Sequence, residues 1–95
     1  MHTCAISDFP ARIDAEVTIQ GWVPNRRSSG KVTFLILRDG SGTCQVVAER
    51  ETFGDFYEEI RKLPLESSII ATGRVVKEER AAGGFELHAT SITIV

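Results

Sequence analysis

The chain has 95 residues, of which 42% are hydrophobic and 25% are charged, and its net charge is −2. These ordinary globular values predict one soluble domain over residues 1–95 and exclude a disordered chain. Apolar runs of four residues or fewer exclude a membrane-spanning helix. No segment has the pattern of a secretory signal, so the expected location is the cytoplasm. A negative net charge also argues against a protein that binds a long nucleic-acid duplex through phosphate contacts alone.

The cysteines and histidines predict neither a metal site nor a nucleophile. Cys4 and Cys44 lie far apart, and neither has a second Cys or His placed to complete a zinc-type pair, so no metal and no other cofactor is expected. Cys44 lies in an alternating run and is expected to be a small buried hydrophobe. His2 and His88 each stand alone and are expected to be solvated. No catalytic set can be assembled, so we predict no catalytic residue in this chain.

Alternating side chains predict three consecutive antiparallel strands in the first half of the chain. Before them, Pro10 interrupts an apolar spacing, which predicts a short irregular lead-in over residues 6–13. Gly21 inside the first strand indicates a bulge or a sharp bend, as closure of a small barrel requires. Turns at residues 28–30 and 39–42 connect the strands, because glycine supplies the positive φ that tight turns need. The predicted strands cover residues 16–27, 31–38 and 43–49.

The second half of the chain predicts one helix followed by two more strands. Between Thr52 and Leu63 apolar residues recur at intervals of three and four, which predicts one amphipathic helix that ends before Pro64. Alternation then returns, with Gly73 interrupting the fourth strand and a glycine-rich turn at residues 82–84 leading into the fifth. The last two predicted strands cover residues 67–79 and 85–95.

This order of elements predicts an all-β domain with one helix. Five strands with an α-helix between strands three and four are the arrangement of the OB fold, a five-stranded Greek-key barrel. OB folds commonly bind single-stranded nucleic acid across strands two and three. A small barrel of the SH3 type is the alternative, although such a barrel does not normally place a helix of about three turns at this point.

Strand parity places an aromatic ring and an amide on one outer face. If Leu35 and Leu37 point into the barrel, Phe34 points outwards, and the same alternation turns Gln45 outwards on strand three. An exposed ring beside an amide can stack on a splayed base and hydrogen-bond its edge. The opposite parity, in which Phe34 fills the core, is left open by the periodicity alone.

Charged residues near this face could complete a binding site. Arg26, Arg27 and Lys31 lie within six residues that contain no acid, so they form a local basic spot that could hold phosphate. Two arginines in a turn are, however, often only solvated. Glu86 and His88 alternate with Leu87 and Ala89 on the last strand and are both expected to face outwards, where Glu86 either adds solubility or accepts a hydrogen bond from a base.

Several stretches of the sequence together resemble a known family. They are Val17-Thr-Ile-Gln-Gly-Trp-Val23, the Arg26-Arg27 pair, the run from Lys31 to Gly42, and Gln45-Val-Val47. In this combination they closely resemble the N-terminal anticodon-binding domain of class II aminoacyl-tRNA synthetases of the aspartyl, asparaginyl and lysyl group. The segments Leu65-Glu-Ser-Ser68 and Ala82-Gly-Gly-Phe-Glu-Leu87 are most similar to the bacterial asparaginyl type. The resemblance covers nearly the whole chain and also implies an OB fold.

The resemblance implies that the chain binds the anticodon loop of a tRNA. A ring at the position of Phe34 would stack on the middle uridine of the anticodon, and residues at the positions of Gln45 and Arg27 would hydrogen-bond its edge. A glutamate similar to Glu86 would help to read the first anticodon base. Val76 stands where some aspartyl enzymes have an arginine, which argues against an aspartyl-type reading of that base.

The resemblance also implies that this chain by itself does not aminoacylate tRNA. In the family the catalytic domain follows the anticodon-binding domain, and the whole protein is a ligase of protein biosynthesis, expected here to be a homodimer. The isolated domain is expected to be a monomer, either excised from a longer enzyme or a free-standing homologue. Two alternative functions remain, namely general single-strand binding and a protein-interaction module or engineered scaffold.

Overall fold

Five strands close into a barrel in the computed structural model of the chain, which describes residues 3–95. The strands are β1 (Glu16–Ser29), β2 (Val32–Arg38), β3 (Thr43–Glu49), β4 (Ser67–Lys77) and β5 (Phe85–Ile94). They follow one another around the barrel in the order β1, β2, β3, β5, β4, and all neighbours are antiparallel except β3 and β5. The predicted OB arrangement is therefore confirmed. His2 lies outside the described residues.

Alternate side chains of the strands fill the barrel. Leu35 and Leu37 on β2 are fully buried, as are Cys44 and Val46 on β3. Successive residues of a strand point to opposite sides, so the residues between them lie on the outer surface. Removing apolar side chains from water stabilises the barrel by roughly 25 cal/mol per Å² of buried apolar surface. The alternation that predicted the strands is thus the pattern that builds the core.

The lead-in packs onto the barrel as a 3-10 helix over Ile6–Ala11. Its Phe9 is fully buried and meets Phe85 edge to face, with ring centroids 6.2 Å apart. Asp39, in the turn between β2 and β3, anchors the start of this helix, because its Oδ2 accepts a hydrogen bond from the Ile6 backbone N–H at 2.9 Å. The turn and the lead-in therefore hold each other in place.

A helical segment lies between β3 and β4, as predicted, but it is divided. It consists of α1 (Arg50–Phe53), a 3-10 turn (Gly54–Phe56) and α2 (Tyr57–Arg61). The division falls at Gly54, whose φ of 57° and ψ of −131° interrupt the helix. Ile60 is buried, whereas Phe56, on the predicted apolar side, is exposed. Among residues 3–95, no helix has the length and apolar character needed to cross a membrane.

A β-bulge in β1 changes which side chains face outwards. The strand carries one extra residue relative to β2 between Trp22 and Asn25. Pro24 lies inside this bulge, where its missing N–H interrupts no ladder hydrogen bond. Gly21, at which the sequence predicted the irregularity, serves a different purpose, because a Cβ at this position would collide with the carbonyl oxygen of Arg38. The predicted break in β4 is a shift of register in its pairing with β5.

Candidate nucleic-acid interface

Phe34 and Gln45 lie on the outer face of the barrel, which is one of the two parities that the alternation allowed. Thr33 and Leu35, the neighbours of Phe34 in sequence, are fully buried, while Phe34 itself is half-buried at the surface. Gln45 is also half-buried and pairs with Ile36 of β2, so it lies on the same side of the sheet as Phe34. The alternative in which Phe34 belongs to the core is therefore wrong.

Arg27 covers the Phe34 ring. The two residues are directly opposite each other in the pairing of β1 with β2, and the Arg27 Cζ atom lies 4.4 Å from the ring centroid. A guanidinium at this distance is attracted by the ring quadrupole, which contributes roughly 0.5–1 kcal/mol at an exposed site. The structure thus brings together a planar cation and an aromatic ring, the two kinds of group that stack on nucleobases.

Arg26 does not share this face, which corrects the expectation that both arginines lie beside Phe34. The bulge at Pro24 shifts the parity of β1, so Arg26 lies opposite the inward-pointing Leu35. Its Nε donates a hydrogen bond of 2.6 Å to the carbonyl oxygen of Leu63, just after α2. This bond ties β1 to the helical segment, so Arg26 supports the barrel and is not part of the outer face around Phe34.

Lys31 and Arg38 lie at opposite ends of β2. Lys31 is exposed in the turn between β1 and β2, at the tip of the hairpin that carries Phe34. Arg38 lies on the outer face but forms an exposed ion pair with Glu66, with a separation of 3.1 Å between its Nη2 and the carboxylate. The charge in contact with Phe34 is therefore supplied by Arg27, while Lys31 adds a positive charge at the tip of the hairpin.

Glu86 contacts Gln45 directly. The parallel pairing of β3 with β5 sets Gln45 beside Glu86, and Gln45 Nε2 donates a hydrogen bond of 2.8 Å to Glu86 Oε2. His88 Nε2 lies 2.9 Å from Glu86 Oε1. The expectation that His88 is an isolated, solvated histidine is thus wrong. Alternation along the last strand correctly turned both side chains outwards, but it did not show that they contact each other.

Neither the buried Cys44 nor an open groove on the surface belongs to the outer face around Phe34. Cys44 is fully buried, and burial, with a smaller effect of the Asp39 carboxylate, raises the pKa of its thiol to about 12. Among residues 3–95, no three His, Cys, Asp or Glu side chains are grouped so that they could hold a metal ion. An open groove of about 410 Å³ beside Trp22 and Asp39 includes none of the predicted site residues. A sheet face that stacks bases needs no such cavity.

These observations define a class of protein. An OB barrel that carries an aromatic ring, an arginine, an amide and a carboxylate on the outer face of β1, β2, β3 and β5 has the features of a nucleic-acid-binding module. The family model described as an OB-fold nucleic acid binding domain matches residues 17–95. The chain belongs to this family.

Among individual proteins, the chain is similar to asparagine– and aspartate–tRNA ligases. An asparagine–tRNA ligase of Desulforamulus reducens is 45% identical over 95 residues, which covers 100% of this chain and 22% of that protein. An aspartate–tRNA(Asp/Asn) ligase of Methanocaldococcus jannaschii is 41% identical over 91 residues, 94% of this chain and 21% of that protein. The crystal structure of asparaginyl-tRNA synthetase from Pyrococcus horikoshii complexed with asparaginyl-adenylate matches with a TM-score of 0.92 at 32% identity, covering 100% of this chain and 22% of that one.

The resemblance to asparaginyl and aspartyl enzymes noted from the sequence is therefore confirmed. The chain spans about a fifth of the length of the curated relatives that it matches.

Proposed function

We propose that this domain binds the anticodon loop of a tRNA and reads the middle uridine, as the recognition domain of an asparaginyl- or aspartyl-type tRNA ligase. The observation that carries the proposal is the outward Phe34 ring with Arg27 on one side and Gln45 on the same outer face. Family membership and relatives named as tRNA ligases support it.

Stacking on Phe34 provides the affinity. In the free domain Arg27 occupies a face of the ring. A base stacked on an aromatic side chain contributes about 1–3 kcal/mol, more than the roughly 0.5–1 kcal/mol of an exposed cation–π contact. A splayed base therefore displaces the guanidinium from the ring. Arg27 is then free to hydrogen-bond the edge of the same base or a phosphate.

Gln45 and Glu86 provide the specificity. The Gln45 amide offers both a donor and an acceptor on the same outer face as Phe34, so it can hydrogen-bond the edge of the stacked base. Glu86 adjoins Gln45, and each of its carboxylate oxygens keeps a further lone pair with which to accept from the base next to it, the first of the anticodon. Lys31 adds a phosphate contact at the tip of the hairpin.

The chemistry of the parent ligase takes place outside this domain. The chain corresponds to about a fifth of its relatives, and we assign aminoacylation to the remaining part of a longer cytoplasmic, homodimeric enzyme. The isolated domain is a monomer in this proposal. Sedimentation at micromolar concentration tests that point, and a stable dimer would favour a protein-interaction module.

Titration with an anticodon stem-loop tests the proposal. The same hairpin is made with uridine, cytidine, adenosine or guanosine at the middle anticodon position, and binding of the 95-residue chain is followed by Trp22 fluorescence or calorimetry. The tightest binding is expected for uridine. Equal affinity for all four hairpins would instead indicate general single-strand binding, and no binding to any of them would reject a nucleic-acid function for this face.

A further inference from the structure

Three polar side chains form a continuous series of hydrogen bonds on the outer face of β3 and β5. Gln45 Nε2 donates to Glu86 Oε2 at 2.8 Å, and His88 Nε2 lies 2.9 Å from Glu86 Oε1. An ionised carboxylate only accepts hydrogen bonds, so His88 carries a hydrogen on Nε2. The Glu86 side chain is only 15% exposed, which limits competition from water. Each carboxylate oxygen is therefore held by one neighbour.

This arrangement decides which end of the Gln45 amide faces a ligand. Because Nε2 is directed at Glu86, the carbonyl Oε1 is directed away from the carboxylate. Rotating the amide by half a turn would set Oε1 against the carboxylate, and two acceptors in contact repel each other. The orientation of the amide is thus imposed by Glu86.

Glu86 needs a second partner to impose that orientation. The terminal torsion of a glutamate side chain is broad, so a carboxylate held at one oxygen only is free to rotate. His88 removes this freedom because it holds the other oxygen from two residues further along the same strand. Hydrogen bonds to an ionised group are also about twice as strong as neutral ones, so the restraint is effective.

We propose that His88 is a positioning residue for base recognition, which acts through Glu86 to keep the Gln45 carbonyl oxygen free for the middle base. The inference rests on the proposed function, because it concerns the same base. Uridine presents an N3–H donor on its pairing edge, whereas cytidine presents an N3 acceptor at that position. A fixed carbonyl oxygen accepts from uridine and repels cytidine. A freely rotating amide could turn its NH2 towards cytidine and would discriminate less.

Nuclear magnetic resonance tests the positioning without RNA. The chain has only three side-chain amides, Gln20, Asn25 and Gln45, so a ¹H–¹⁵N spectrum resolves their NH2 pairs, and the pair lost in Gln45→Ala identifies that residue. In His88→Phe, which keeps the ring shape but cannot donate, the Gln45 pair is expected to shift while the Gln20 pair stays in place. In His88→Gln, whose Nε2 can donate again, the Gln45 pair is expected to move back towards its original position. An unchanged Gln45 pair in His88→Phe would overturn the inference.

Hairpin titrations with the same variants test the effect on specificity. The ratio of uridine to cytidine affinity is expected to fall by about three- to tenfold in His88→Phe, the effect of one hydrogen bond, and to recover in His88→Gln. The ratio cancels any uniform change in affinity. If the wild-type chain prefers uridine and His88→Phe does so equally, the inference is overturned and the proposed function stands. If the wild-type chain has no preference, the proposed function fails and the specificity role fails with it, even where the amide signals shift as expected.

Discussion

Arg27 and Phe34 lie directly opposite each other on β1 and β2, and the guanidinium carbon is 4.4 Å from the centre of the ring. The guanidinium covers part of an aromatic ring that is half-buried at the protein surface. This pairing also places the two side chains where a single base can meet both.

Replacing Phe34 should affect binding more than folding. Phe34→Ala is expected to weaken binding of the uridine hairpin by about 1–3 kcal/mol, the contribution of one base stacked on one aromatic side chain. The ring is half-buried on the outer face, so the loss of stability should be well below the ~3–5 kcal/mol typical of a buried phenylalanine. Phe9→Ala, which removes a fully buried ring, provides the matched comparison in urea denaturation. Equal losses of stability in the two variants would contradict the surface role of Phe34.

Replacing Gln45 should relax specificity. Gln45→Ala removes the amide that contacts the base edge, so the ratio of uridine to cytidine affinity is expected to fall more than the affinity for uridine itself. One hydrogen bond corresponds to about 0.5–1.5 kcal/mol in that ratio. Gln20→Ala is the control, because Gln20 is exposed elsewhere on β1. Hairpin titrations measure both variants, and an unchanged ratio in Gln45→Ala would count against edge reading.

The two neighbouring arginines should behave differently. With Arg27 and Lys31 as phosphate contacts, the logarithm of the binding constant should fall with the logarithm of salt at a slope of about −1.4, and Arg27→Ala should reduce it by about 0.7. Arg26→Ala should leave the slope unchanged but lower stability by about 1–2 kcal/mol, because the Leu63 carbonyl loses a charged donor. Titrations at several salt concentrations and urea denaturation measure these effects. If the salt slope changed more in Arg26→Ala than in Arg27→Ala, Arg26 and not Arg27 would be the phosphate contact.

The stability of the domain should depend on Asp39 at acid pH. Partial burial alone would raise the pKa of this carboxyl, but hydrogen bonds from the Ser41 hydroxyl and from the backbone N–H groups of Ile6, Ser41 and Gly42 lower it below its ordinary value of 3.8. A lowered pKa in the folded state contributes stability above the ordinary value, and this contribution is lost as the pH falls through the folded-state pKa.

Comparison with Asp39→Asn isolates this contribution. The wild-type chain is expected to be more stable than the variant at pH 6, and the difference should shrink as the pH is lowered below 3.8. Urea denaturation across this range measures both chains. A difference that stays constant from neutral to acid pH would show that the Asp39 charge does not hold the lead-in.

Local patterns in the sequence determined much of the fold. The alternation over β3 predicted its bounds, Thr43–Glu49, without error, and the alternation over β2 put Phe34 and Leu35 on opposite sides of the strand, although it left open which of them faces the core. Both results follow from a period of two, which every strand with one buried face must keep. The same reasoning placed Gln45 on the outer face and Cys44 in the core.

Only the tertiary structure decided which outward residues meet. Gln45 and Glu86 are 41 positions apart in the chain, with the helical segment and β4 between them, and become neighbours because β5 pairs with β3, a contact that no local period encodes. The bulge at Pro24 adds one residue to β1, so the residues after it point to the opposite side from the one that the preceding alternation predicts. Arg27 therefore faces Phe34, and Arg26 does not. Strand alternation is a property of neighbouring residues, whereas pairing and bulges are set by the closure of the whole barrel.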